Sequence, residues 1–393
     1  MMKKTILVAF GGASPEHEVS VITAHQAIAA LNDAEPYKVI PLYISKSGRW
    51  LTGENLLDLK QFEDLKKIES SATPCFMTQN EYGLATLLEE KKGWLPGKMR
   101  ETVIHAAIAA FHGSSGENGA FQGICEMMNL PCTGSGVLGS SIGMDKVAAK
   151  SICSAHQIPV VEGVDIYEKE WVDRESEFLQ KIEHLGYPVI IKPVHLGSSI
   201  GVKIVKNRDE LETGIEEAFK YDHHILVEKV VTPLIEINCS VIGSSLQSKA
   251  SVCERPIGKE ELLSFRDKYM SDEGSKGMAS AQRVIPADIP EELALSIQVM
   301  SKKIFRILGC SGLARLDFLV NAETEQIYFN EINTIPGSFS FYLWKESGLT
   351  FQNLLFELLD LAFEEYSHKN RRIQSYETNL LSTKAVKGLK GTK

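Results

Sequence analysis

The chain has 393 residues, 44% of them apolar, and a formal net charge of −9. That length suffices for two or three domains with a sizeable core. The acidic balance argues against a general nucleic-acid role, which needs a basic field. No run approaches the ~18 apolar residues of a membrane span, and the apolar stretch near Met1 is too short for a signal peptide, so a cytoplasmic protein with no membrane partner is expected. The seven cysteines are scattered and form no C-x-x-C pair, which argues against a disulfide framework or a thiolate metal site.

In chain order, Thr5 to Phe10 is a compact apolar run ending at Gly11-Gly12, followed by a helical pattern through Val19, Ile22, Ala27 and Leu31. A second strand is predicted at Val39 to Ile44. A polar, poorly patterned region follows, then the apolar run Val103 to Phe111, which ends at the loop from His112 to Glu117. Repeated strand, Gly-rich turn and helix is the pattern of a parallel sheet. No G-x-G-x-x-G follows Phe10, which argues against a nicotinamide dehydrogenase. Further on, Tyr187 to Pro193 and Gly197 to Val202 read as two strands of a hairpin. Strands are also predicted at Ile225 to Val231, Glu236 to Ile242, Ala314 to Val320 and Gln326 to Glu331, the last two paired around a turn at Asn321 to Glu325. The helix from Phe351 to Phe363 carries apolar residues at i, i+3, i+4, with Thr350 as N-cap. From Lys369 to Lys393 there are seven Lys or Arg and one acidic residue, a solvated tail or a binding arm.

Two stretches carry chemistry. Lys192-Pro193 followed by Gly197-Ser198-Ser199 and Gly201 puts a lysine at a strand end before a loop of small residues. Backbone N–H groups of such a loop can approach phosphate while the lysine adds a point charge. The same pattern also suits a plain hairpin turn, and the P-loop order is absent. In Arg315-x-Asp317 and Glu331-x-Asn333, i, i+2 spacing on a strand puts each pair on one face. The carboxylates and the amide oxygen make an all-oxygen set suited to Mg²⁺, or the charged outer face of a surface strand.

Taken together with GGxSxExEVS from Gly11, HGxxGExGxxQG from His112, TGSGV from Thr133, Met144-Asp145-Lys146 with Lys150, Val227-Glu228-Lys229, Lys268-Tyr269, ARxDF from Ala314 and NEINTxPG from Asn330, these motifs resemble the D-alanine–D-alanine ligases. The resemblance runs to about Tyr366. It implies an α/β ATP-grasp fold: a Rossmann-like N-terminal domain (1–144), a central α+β subdomain (145–228), a C-terminal α+β subdomain (229–366) and a basic tail (367–393). ATP lies between the last two, and the chain forms a homodimer. The implied reaction joins two D-alanines for peptidoglycan precursors, using ATP and two Mg²⁺ ions, with Mn²⁺ as a substitute.

The resemblance also implies roles. Lys146 and Lys192 hold the α- and β-phosphates with the loop at Ser199, Glu228 and Lys229 lie in the adenine hinge, and Glu236 bonds the ribose. Asp317, Glu331 and Asn333 bind the metals. Glu16 pairs with the first ammonium, His112 lies near its carboxylate, and Ser198 and Tyr269 join Glu16 in a lid that includes Lys268. Arg315 and the Gly337 N–H meet the oxyanion. The chain departs from the pattern in three places: one extra residue between Glu228 and Glu236 and no Gly before the latter, Ser264 to Asp267 in place of a tyrosine-containing run, and Tyr342 where a serine grasps the acceptor. These departures leave open another amino acid or a hydroxy acid as acceptor, and a nucleotide-binding protein without catalysis remains a further alternative.

Overall fold

A run of residues that is apolar on both pleat faces can be covered on both sides, and Ile6 to Phe10 are all fully buried. The computed structural model describes residues 3–32, 35–90, 99–257, 283–373 and 375. Its first sheet contains β1 (Lys4–Gly11), β2 (Tyr37–Ile44), β3 (Trp50–Thr52), β4 (Thr73–Gln79), β5 (Ala85–Glu90), β6 (Met99–Val103) and β7 (Ala106–Ala109), in the order β6-β5-β4-β3-β2-β1-β7. Only β2, β1 and β7 run parallel. The parallel-sheet pattern therefore describes one end of the sheet. The region with no clear period supplies an antiparallel meander from β3 to β6. Its strands alternate buried and exposed residues weakly, as in Thr73–Gln79, so period-2 reading passes over them.

The second sheet has β8 (Gly163–Tyr167), β9 (Val189–Pro193), β10 (Lys203–Val205) and β11 (His224–Lys229), in the order β10-β9-β11-β8. Here β9 and β10 do form an antiparallel pair. The segment expected as a strand from Gly197 to Val202 is instead the turn between them, with Ser198 and Ser199 at φ 54° and 58°. Two successive left-handed residues break the extended conformation a strand needs.

The third sheet, order β14-β13-β12-β15-β16, contains β12 (Leu234–Gly243), β13 (Ser248–Pro256), β14 (Arg283–Val284), β15 (Gly312–Asn321) and β16 (Ile327–Asn333). It is antiparallel throughout. The helix Glu291–Ile307 covers one face, and Ala149 and Cys153 of the helix Lys146–Ala155 enter the same core.

The amphipathic helix near the end runs Phe351–Asn370, capped by Thr350, whose hydroxyl accepts from Asn353 N (3.3 Å). Its Leu354, Leu355, Leu358 and Leu359 are buried in the core of the first sheet, with Ile6, Leu7 and Val8. The chain thus returns at its end to the sheet with which it began. That return brings the loops after β1 and β7 to the loops after β9 and β16. No helix among the described residues is long and apolar enough to cross a membrane. Lys268, Tyr269 and all of the basic tail beyond residue 375 lie outside the described residues.

Candidate active site

A groove of about 660 Å³ of free space opens where those loops meet, and Glu16, His112, Lys146, Ser198, Arg315, Glu331, Asn333 and Gly337 line it. The Ser198 hydroxyl donates to Glu16 Oε1. Gly197 leaves room for this approach, since a Cβ there would lie 3.2 Å from Glu16 Oε2 and press on it by a few tenths of an ångström. Lys146, the first residue of a helix capped by Asp145, donates from Nζ to the Leu196 carbonyl (2.6 Å) and lies 3.3 Å from Glu331 Oε2. One lysine thus ties the Gly/Ser loop to the carboxylate at the end of β16.

Beneath this wall three charges are buried together. Glu228 has no exposed surface, and its two carboxylate oxygens accept from Lys150 and from Lys192, the latter at 2.6 Å. Lys192 also donates to Asn330 Oδ1 (3.0 Å). Burial works to raise the Glu228 carboxyl, but the charges of Lys150 and Lys192 outweigh it and hold the group below the usual range. Two ammoniums and one carboxylate leave a net positive charge beside Asn330 of β16, the sign that phosphate requires.

On the facing strands, β15 and β16 register Arg315 against Asn333 and Asp317 against Glu331. Arg315 grips Asp317 with two bonds of 2.7 Å, and the Asn333 amide donates to Asp317 Oδ2 (3.2 Å). The i, i+2 reading of both pairs is therefore realised as one cluster across two strands. Three oxygen donors of this kind fit Mg²⁺, which takes few carboxylates together with substrate phosphate.

His112 and Glu117 build the opposite wall. The Thr23 hydroxyl lies 2.8 Å from His112 Nε2 and accepts from the Ser338 N–H (3.1 Å). A hydroxyl donates once and accepts twice, so having accepted from Ser338 it can still pair with either neutral tautomer of the ring. Burial, aided by the Arg315 charge, lowers His112 to about 4, and the ring is neutral at pH 7. Glu117 accepts from the backbone N–H groups of Gly113 (3.1 Å) and Ile335 (3.3 Å). Burial, reinforced by neighbouring Glu16, pushes its carboxyl up to about 8.

Beyond Gly337 the backbone makes a left-handed turn, with Ser338, Phe339 and Ser340 at φ 53°, 53° and 47°. Each such residue costs about 1–3 kcal/mol, a strain that persists only where packing and hydrogen bonds over-determine it. Here Phe339 is buried and Ser338 is held by Thr23. The turn sends Tyr342 into a buried pocket under the Arg283 guanidinium, 4.0 Å from the ring centroid. Glu254 accepts from Arg283 (3.3 Å) and from Asn238 (2.9 Å) beside it. The Tyr342 hydroxyl has no hydrogen-bond partner among the described residues, and burial, with Glu254 nearby, pushes it up to about 12.

Of the residues singled out in the sequence, eight line the groove and Asp317 stands directly behind Arg315. Lys192, Glu228 and Tyr342 do not line it; Lys192 and Glu228 form a buried cluster joined to Asn330 of β16, and Tyr342 is buried against Arg283. Ser199 is in the turn after Ser198, Lys229 is exposed at the end of β11, and Glu236 is half-buried on β12, away from the lining. Sequence reading gave no role to Thr23, Lys150, Glu117 or Arg283. Lys150 and Glu117 stand inside quoted motifs and could have been found there, whereas Thr23 and Arg283 carry no local signal.

Two family profiles match the chain: "D-ala D-ala ligase N-terminus" over residues 5–135 and "D-ala D-ala ligase C-terminus" over residues 152–360. The D-alanine–D-alanine ligase of Thermosipho melanesiensis is 38% identical over 380 residues, 96% of this chain and 98% of that one. The chain belongs to the D-alanine–D-alanine ligase family. Among solved members, the Coxiella burnetii D-alanine–D-alanine ligase superposes with a TM-score of 0.78 at 28% identity, over 99% of this chain and 100% of that one. The VanG D-Ala:D-Ser ligase of Enterococcus faecalis does so with 0.77 at 31%, over 92% and 100%. Family membership makes the chain a ligase with the ATP-grasp fold, and the groove lies where the family's motifs converge.

Proposed function

We propose that the chain joins two D-alanine molecules with cleavage of ATP to ADP and phosphate, supplying a dipeptide for peptidoglycan precursors. The observation that carries this reading is the convergence on one groove of Glu16, Ser198, Lys146, Arg315, Glu331, Asn333 and Gly337, which come from distant parts of the sequence. Glu16, held by Ser198, offers a carboxylate to the ammonium of the first amino acid. His112 is neutral at pH 7, so it orients by shape and through its bond with Thr23 rather than by charge. Lys146 and Lys192 face the ATP phosphates, and Glu228 acts by keeping Lys192 and Lys150 in place.

Asp317, Glu331 and Asn333 would hold Mg²⁺, or Mn²⁺, which supplies Lewis-acid neutralisation of phosphate charge. The first substrate's carboxylate oxygen bonds to the γ-phosphorus as ADP leaves. The second substrate's amine nitrogen then bonds to the acyl carbon, and inorganic phosphate departs. Arg315 and the Gly337 N–H are aimed at the oxyanion that forms between those events. The buried hydroxyl of Tyr342, without a hydrogen-bond partner among the described residues, supports a contact with the acceptor in place of the family's serine. In the same reading residues 145–228 and 229–366 grip the nucleotide, and residues 1–144 pair two chains into a cytoplasmic homodimer. Family resemblance supports that assembly, and sedimentation equilibrium checks it.

The test is phosphate release by purified protein with ATP, Mg²⁺ and D-alanine, with the product identified by mass. D-alanyl-D-alanine is the expected dominant product. A product formed only when D-serine or a D-hydroxy acid is added would overturn the acceptor assignment, and ATP binding without any product would overturn the reaction.

A further inference from the structure

Outside the groove, the corner where β9 meets the start of β11 carries a second set of convergent donors. His195 Nδ1 lies 2.9 Å from Asp222 Oδ2, and His223 Nδ1 lies 3.2 Å from Asp222 Oδ1. The two imidazole planes are nearly parallel, 11° apart, with centroids 5.7 Å apart. One donor atom from each of the three residues falls within 4.8 Å of the others. Metal–ligand bonds of roughly 2.0–2.2 Å to imidazole and carboxylate, meeting near tetrahedral or octahedral angles, place donors roughly 3 Å apart, and both imidazole-to-carboxylate spacings have that size.

The surroundings match as well. Asp222 is buried and fixed by the backbone N–H groups of His195 (2.7 Å) and His224 (3.2 Å). The far nitrogen of His195, Nε2, faces the Asp145 carboxylate at 3.5 Å, the kind of outer partner that orients a ligating imidazole. His223 is exposed and leaves a path from solvent.

We propose that His195, Asp222 and His223 form a binding site for one divalent transition-metal ion of the zinc class, separate from the Asp317, Glu331 and Asn333 set. Two imidazoles and one carboxylate select Zn²⁺, Co²⁺ or Ni²⁺ over Mg²⁺, which prefers oxygen alone. The ion takes the place of the proton on His195 Nδ1 and leaves Nε2–H on Asp145, so the ring keeps its position. Its effect reaches the groove by position, because His195 lies between Lys192 and Ser198 and Asp145 caps the helix that begins with Lys146. Occupancy therefore ties the Gly/Ser loop to the corner at residues 222–223 and stabilises the folded chain by mass action. This inference stands independently of which amino acids are joined.

The experiment is calorimetric titration of the metal-stripped full-length chain with Zn²⁺ in excess Mg²⁺, together with Co²⁺ absorption spectra. One high-affinity Zn²⁺ per chain is expected, with a Co²⁺ visible spectrum showing nitrogen ligation. Affinity should weaken at least tenfold in His223→Ala, and likewise in His195→Gln, since even outer-partner losses cost 10- to 100-fold. Asp317→Asn should leave it unchanged. His223 is 70% exposed at its side chain, so its replacement removes little packing, and circular dichroism confirms that the variant is folded. Absence of Zn²⁺ binding, binding that survives His223→Ala and His195→Gln, or binding lost in Asp317→Asn would each overturn the proposal.

Discussion

Replacing Glu228 by glutamine tests the charge balance beneath the groove. Glu228 is 1% exposed at its side chain, and its partners Lys150 and Lys192 are 7% and 9% exposed. The substitution leaves two ammoniums facing one amide oxygen in a site closed to water. Breaking a buried pair in this way costs about 3–5 kcal/mol. The chain has one escape, which is to deprotonate a lysine. From an ordinary value near 10.4 that route costs about 4–5 kcal/mol at pH 7 and about 1.4 kcal/mol less for each unit of higher pH. The deficit at pH 7 should therefore be about 3–5 kcal/mol, and it should fall to about 2 kcal/mol at pH 9, where deprotonation costs that little. Urea unfolding of wild type and Glu228→Gln at the two pH values, followed by circular dichroism, measures both quantities. A deficit below about 1 kcal/mol at pH 7 would refute the reasoning, and so would a large deficit with no pH dependence, since the stranded lysines would then not be its source.

Three further outcomes are expected. Arg315→Ala should lower kcat by about 10²- to 10³-fold while ATP affinity changes less than kcat, as steady-state kinetics with nucleotide binding would show; collapse of ATP binding first would contradict the oxyanion role. Glu117 keeps its proton in the folded state up to about 8, against an ordinary 4.5. Stability from that retained proton is fully present below 4.5 and is lost as pH rises through 8, so Glu117→Gln should gain on wild type by a few kcal/mol over that window in pH-dependent unfolding. Thr23→Val removes the bonds to His112 Nε2 and the Ser338 N–H, both buried. It should cost about 1–3 kcal/mol in unfolding and raise the amino-acid KM through the left-handed turn; an unchanged KM would separate that turn from the substrate.

The sequence legibly carried those features whose cause is local. The buried strand from Thr5 to Phe10, the capped helix after Thr350 and the paired Arg315-Asp317 and Glu331-Asn333 strands each announce themselves by period or by turn chemistry, and the structure contains them with boundaries moved by a few residues. Eight of the singled-out residues also reach one groove, because they stand at strand ends and in short loops. The meander from β3 to β6 was not legible, since weakly alternating strands of an antiparallel region resemble loops until neighbours pair with them. The turn at Ser198-Ser199 was misread as strand for a related reason: a Gly/Ser run has little conformational preference of its own, and contact with Glu16 and the Lys146–Leu196 bond decide it.

What the sequence determined by itself is therefore the identity of the chemistry: which carboxylates, lysines and arginine are available, and in what order. Only the tertiary structure decided their charge states and partners. Glu228 is the anchor of two lysines because β9, β11 and the helix Lys146–Ala155 meet there, and Glu117 is raised while His112 is lowered because both are sealed against the turn after Gly337. Those effects come from desolvation and from contacts between residues 36 to 218 positions apart, and neither quantity is written in any single stretch of the chain.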